Sequence, residues 1–179
     1  PPGLRIEMLP PGKDLDAMLA EGELPAMISP TVPKPIIARD PRVARLFPNY
    51  KQIEQEYFQQ TGIFPIMHVT AIRQEIVDRH PWAATELVKA FERAKQLAYK
   101  RAANPRMVPL AWMRTAWEEE RELLGPDPWE YGLTATNRRN LETILGYVYQ
   151  QGLIGEAMPL DDLFVDTDLG DAGGADENV

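Results

Sequence analysis

The sequence predicts an α/β protein with a helix-rich C-terminal half. Three observations lead there. Apolar and polar side chains alternate in "LRIEML" (4–9) and in "GIFPIMHVTAIR" (62–73), as they do along half-buried strands. Strand, helix and strand follow one another before residue 30, the order of a crossover unit in a parallel sheet. Helical spacing takes over after residue 80.

"LRIEML" is the first strand, and "PPGKD" breaks it. In "DLDAMLAEGE" the residues Leu15, Met18 and Leu19 share a helical face, with Asp14 or Asp16 near the N-terminus and Gly22 as the stop. "PAMIS" is a short buried strand closed by Pro30. The prolines of "PTVPKPIIARDPRVARLFPN" favour extended or turn conformations over helix, giving a long ordered connection of the kind that often carries function. "YKQIEQEYFQQTG" resumes helical spacing and Gly62 ends it. The strand that follows places Ile66, His68, Thr70 and Ile72 on one face.

Three helices fill the rest. "PWAATELVKAFERAKQLAYKRA" carries Trp82, Leu87, Phe91, Ala94 and Ala98 as its buried stripe. "LAWMRTAWEEERELLG" brings Trp112 and Trp117 near one another and lets Arg114 pair with Glu118. "TNRRNLETILGYVYQQG" has Thr136 as cap, Leu141, Ile144, Leu145 and Val148 as stripe, and Gly152 as stop. "DPWEYGL" between them reads as a turn whose Trp129 and Tyr131 cover the core.

Charge and composition exclude several functions. The net charge of −8 comes mainly from seven acids at and beyond Asp161; without them 20 acids face 19 bases, and no basic stripe suits a nucleic acid. The ending is too polar and glycine-rich to bury much surface, so an acidic disordered tail is expected over 166–179. Cysteine is absent, which removes disulfides and thiolate chemistry. No apolar run is long enough to span a bilayer, so no membrane insertion is expected. The chain opens without methionine and almost at once with a strand-like run, from which a preceding part is expected. There is no glycine-rich phosphate loop, no HExxH and no GxSxG.

Two histidines remain to be placed. His80 precedes the proline that opens a helix and reads as a cap. His68 is open between a hydrogen-bonded core histidine and a group that moves a proton or holds a ligand. The two stand on different kinds of element, and no metal site is predicted. Arg39, Arg42, Arg45 and Arg73 flank the proline-rich connection and the His68 strand; two of them converging on a cleft would anchor a carboxylate.

The stretch "RLFPNYKQIEQEYFQQTGIFPIMHVTAIRQEIVDRHPWAATELVKAFERAK" and the later "DPWEYGLTATNRRNLETILGYVYQQGL" resemble the C-terminal half of the 4,5-dihydroxyphthalate decarboxylase family. "GKDLDAMLAEGELPAMISP" is similar to the segment that precedes them, so the resemblance covers about residues 12 to 165. It implies a two-lobe α/β fold related to the type II periplasmic solute-binding proteins of ABC transporters, with the ligand between the lobes. On that reading residues 1–62 supply part of the second lobe, 63–165 the return crossover strand and helices packing on the first lobe, and the N-terminal lobe is the missing partner.

The resemblance further implies non-oxidative decarboxylation of a small aromatic carboxylate to protocatechuate and carbon dioxide, in the cytoplasm, with no organic cofactor. His68, in the matched "FPIMH", would be the acid. Ser29, in the matched "ISP", would donate a hydrogen bond at a strand end, and Arg39 or Arg73 would anchor a carboxylate. The alternative is a periplasmic receptor that binds a small organic anion without chemistry, which fold alone does not separate from an enzyme.

Overall fold

The computed structural model describes residues 3–167, so most of the expected acidic tail lies outside the described residues. Contacts divide the chain into two compact units, Pro1–Glu56 and Tyr57–Val179.

In the first unit, α1 (Leu15–Glu21) starts as expected: Asp14 Oδ1 accepts the Asp16 amide at 2.8 Å. Gly22 closes it at φ 79°, where a side chain would be strained. A one-turn helix, α2 (Lys34–Ile37), interrupts the proline-rich connection, where no helix was expected. It forms because Pro35 lies in its first turn, where the missing amide has no intrahelical acceptor to lose. The two helix starts are joined: Lys34 donates its amide to Asp16 Oδ2 at 3.1 Å and its Nζ to Asp14 Oδ2 at 3.0 Å. Helix α3 (Tyr50–Thr61) carries the boundary between the units and ends at Gly62, φ 64°.

The second unit is built on α4 (Gln74–Arg79), α5 (Trp82–Ala102), α6 (Met113–Leu124) and α7 (Ala135–Gln150). Ala84 of α5, Leu141 of α7 and Leu160 of a 3-10 turn (Leu160–Asp162) are the buried apolar side chains among the described residues of this unit. The buried side of α5 is not the expected stripe. Ala84 and Lys95 are buried with Val88 and Tyr99 partly so, whereas Trp82, Leu87, Phe91, Ala94 and Ala98 are exposed. On α6 the Arg114–Glu118 pair forms at 2.6 Å, but Trp117 packs edge-on against Tyr99, 5.5 Å between ring centres.

The α/β expectation is overturned, and with it the two-lobe periplasmic-binding-protein-like architecture. Among the described residues there is no strand and no sheet. All three strand-like segments, 4–9, 25–29 and 62–73, lack a ladder. Alternation says how side chains would be shared between two faces; a strand also needs a neighbour to take its amides and carbonyls. None of these segments has that neighbour, and Leu4, Ile6 and Met8 stand exposed. No helix among the described residues is long and apolar enough to cross a membrane.

Candidate functional site

A groove of about 850 Å³ runs through the second unit, within the size range of small-molecule sites. One wall is the extended stretch from Phe64 to Ile72, and the opposite wall comes from α5 and α7. The turn from Pro128 to Leu133 closes one side. The surface is mostly aliphatic and aromatic, interrupted by His68, Thr70, Gln74, Glu130, Asn137 and Thr167. Among the described residues no lysine or arginine lines it.

The turn that closes the groove is held from two directions. Buried Lys95 bonds Asp127 Oδ2, donates to the Trp129 carbonyl at 3.3 Å, and meets Glu92 at 2.9 Å. Its ammonium also lies 4.9 Å from the centre of the Tyr131 ring. Tyr99 donates its hydroxyl to Asp127 Oδ1 at 2.8 Å. From the other side, Asn137 Nδ2 donates to the carbonyls of Glu130 at 3.0 Å and Gly132 at 2.9 Å. Trp129 then meets Phe64 edge-on at 5.1 Å, which links the turn to the start of the extended wall.

Glu130 is fixed on this turn. The hydroxyl of Thr134 donates to Glu130 Oε1 while accepting the Asn137 amide at 3.1 Å, so one residue caps α7 and orients the carboxylate. The cap is therefore Thr134 and not Thr136.

Of the site residues expected from sequence, His68 is exposed and lines the groove, so it is not a hydrogen-bonded core histidine. Arg73 stands between the lining residues Ile72 and Gln74 but is exposed and paired with Glu75 at 2.9 Å. Ser29 and Arg39 belong to the first unit. Ser29 Oγ accepts the Thr31 amide at 3.2 Å, and Arg39 occupies a left-handed backbone position at φ 56°. The structure thus brings His68 to the groove and Arg73 beside it. His80 caps no amide with its side chain; its own amide closes α4 on the Ile76 carbonyl at 2.8 Å. Sequence reasoning missed Glu130, Asn137 and the Lys95–Asp127 pair. Glu130 could have been noticed as the acid of "DPWEYGL" four residues before a helix-capping threonine.

No protein-family model matches the chain. The chain is similar to a 4,5-dihydroxyphthalate decarboxylase of Comamonas testosteroni, 30% identical over 166 residues. That alignment takes in 92% of this chain and 50% of the relative, so the chain spans about half the length of the curated relative it matches. Sequence identity along nearly the whole of this chain supports a distant relationship to the 4,5-dihydroxyphthalate decarboxylase family.

Proposed function

We propose that the chain forms part of a decarboxylase for a small aromatic carboxylate, with 4,5-dihydroxyphthalate going to protocatechuate and carbon dioxide as the reaction. The observation that carries this reading is the 30% identity to a protein of that name along 92% of the chain. The groove supports it by offering an aromatic and aliphatic surface for a ring, with a histidine exposed on its wall.

The chemistry asks for few groups. A hydroxyl para to the departing carboxylate feeds electron density into the ring, so the carbon bearing the carboxylate accepts a proton. The carbon–carbon bond then breaks, carbon dioxide leaves, and the bonding pair restores the aromatic ring. His68 is the proposed acid, since an imidazolium can give a proton near neutral pH. Arg73 is the proposed anchor for the retained carboxylate, which requires it to leave Glu75 for a bidentate partner. A part for Ser29 and Arg39 in binding rests on the resemblance alone.

The rest of a longer polypeptide is the proposed partner of this chain. Support comes from the half-length match and from apolar side chains left in solvent, such as Met67 and Trp112.

The test is to incubate the full-length protein with 4,5-dihydroxyphthalate and measure carbon dioxide. His68→Ala is expected to lower turnover by about a hundredfold or more. Carbon dioxide release by the variant within a few fold of the unaltered protein removes His68 from the acid role. No release by the unaltered protein removes the decarboxylase reading itself.

A further inference from the structure

Among the described residues the groove contains a single carboxylate side chain, that of Glu130, on a surface otherwise without formal negative charge. A carboxylate at an apolar wall is costly unless something meets it. Here Thr134 satisfies Oε1, and no described residue occupies Oε2. Its placement is also over-determined. The Glu130 carbonyl is held by Asn137, the preceding Trp129 carbonyl by Lys95, and Asp127 by both Lys95 and Tyr99. Such support is what holds a functional side chain to one geometry.

We propose that Glu130 is the hydrogen-bond acceptor for an aromatic hydroxyl of the groove's ligand, through the oxygen that Thr134 leaves open. A ring lying between the walls would meet apolar side chains on its faces and place its hydroxyls at the turn. The assignment rests on the decarboxylase reading for which hydroxyl this is, the one para to the departing carboxylate. As that hydroxyl donates electron density to the ring its proton becomes more acidic, so the bond to Glu130 strengthens towards the protonated-ring state. An interaction stronger there than in the ground state accelerates the step. The proton drawn towards Glu130 returns to the oxygen when the carbon–carbon bonding pair re-forms the ring, so Glu130 ends as it began.

The experiment compares catechol with 1,2-dimethoxybenzene, which has the same ring and no hydroxyl to donate, by calorimetric titration of the full chain. The unaltered protein is expected to prefer catechol by about 10- to 100-fold, the range for a hydrogen bond to a charged group. Glu130→Gln, which keeps a carbonyl for Thr134, is expected to lose most of that preference. A protein that does not favour catechol, or an E130Q variant that still does, overturns the proposal. Should E130Q fail to fold by circular dichroism, the unaltered protein decides with its Glu130 carboxyl carbon labelled. Its NMR shift must move with catechol and stay with dimethoxybenzene, and a shift unmoved by catechol overturns the proposal. Carbon dioxide release is scored separately: a catechol preference without decarboxylation removes the enzyme reading and leaves the acceptor role standing.

Discussion

A lysine ammonium taken out of water costs several kcal/mol unless opposite charge meets it, and Lys95 is only 7% exposed. Burial by itself lowers its pKa; the hydrogen bonds it donates to Asp127 and Glu92 together outweigh that, and the net direction is upward. The Tyr99 hydroxyl is also pushed up, first by burial and then by its bond to Asp127. Both groups hold their protons more tightly folded than unfolded. Their contribution is therefore full below the unfolded values near pH 10 and is lost as pH rises through the folded ones. As far as these two protons go, the second unit should hold through neutral pH and loosen in alkali. Lys95→Met is expected to cost about 2 kcal/mol in urea unfolding. That is less than a fully enclosed pair would lose, because Glu92 and Asp127 keep part of their access to water. A loss below about 0.5 kcal/mol would show that the cluster holds nothing. None of this was legible in the periodicity of α5, which points to Phe91, Ala94 and Ala98. Asp127 lies 32 positions from Lys95, and a partner that distant leaves no mark on helical spacing.

At the scale of elements, what is local was legible and what needs a distant partner was not. Asp14, Gly22 and the Arg114–Glu118 pair act within a turn or two of their own positions and stand where the sequence puts them. The sequence reading takes Thr136 as the cap of α7, whereas the cap is Thr134, whose hydroxyl also reaches Glu130. The strands failed for a related reason. Alternation in 62–73 is real, yet the segment runs extended without a ladder, and residues 65–71 are exposed. Amide hydrogen exchange checks this directly. The amides of residues 66–71 are expected to exchange as fast as those of an unstructured peptide, while the α5 interior is protected. Slow exchange at Val69 and Ala71 would mean that a partner strand is present after all.

For the molecule as a whole, the number of buried apolar side chains sets the stability. A chain of 179 residues ordinarily buries about 70% of the surface its unfolded form exposes. Here only Pro35, Ala84, Leu141 and Leu160 are buried apolar residues among the described residues. The isolated chain is expected to melt over a broad range, and to sharpen and rise in melting temperature when the proposed partner polypeptide is added. A single steep transition for the chain alone, with matching calorimetric and van't Hoff enthalpies, would count against that need. The family relationship was legible because it is carried by a long run of side chains, whereas the architecture depends on contacts that no run of this chain specifies by itself. Met67, His68 and Val69 are exposed in an extended backbone free of helix and ladder. A protease binds its substrate as just such a stretched strand, so the wall that presents His68 to a ligand presents the same peptide bonds for cleavage. In a cell, whatever covers the groove would set the lifetime of the polypeptide as well as its chemistry.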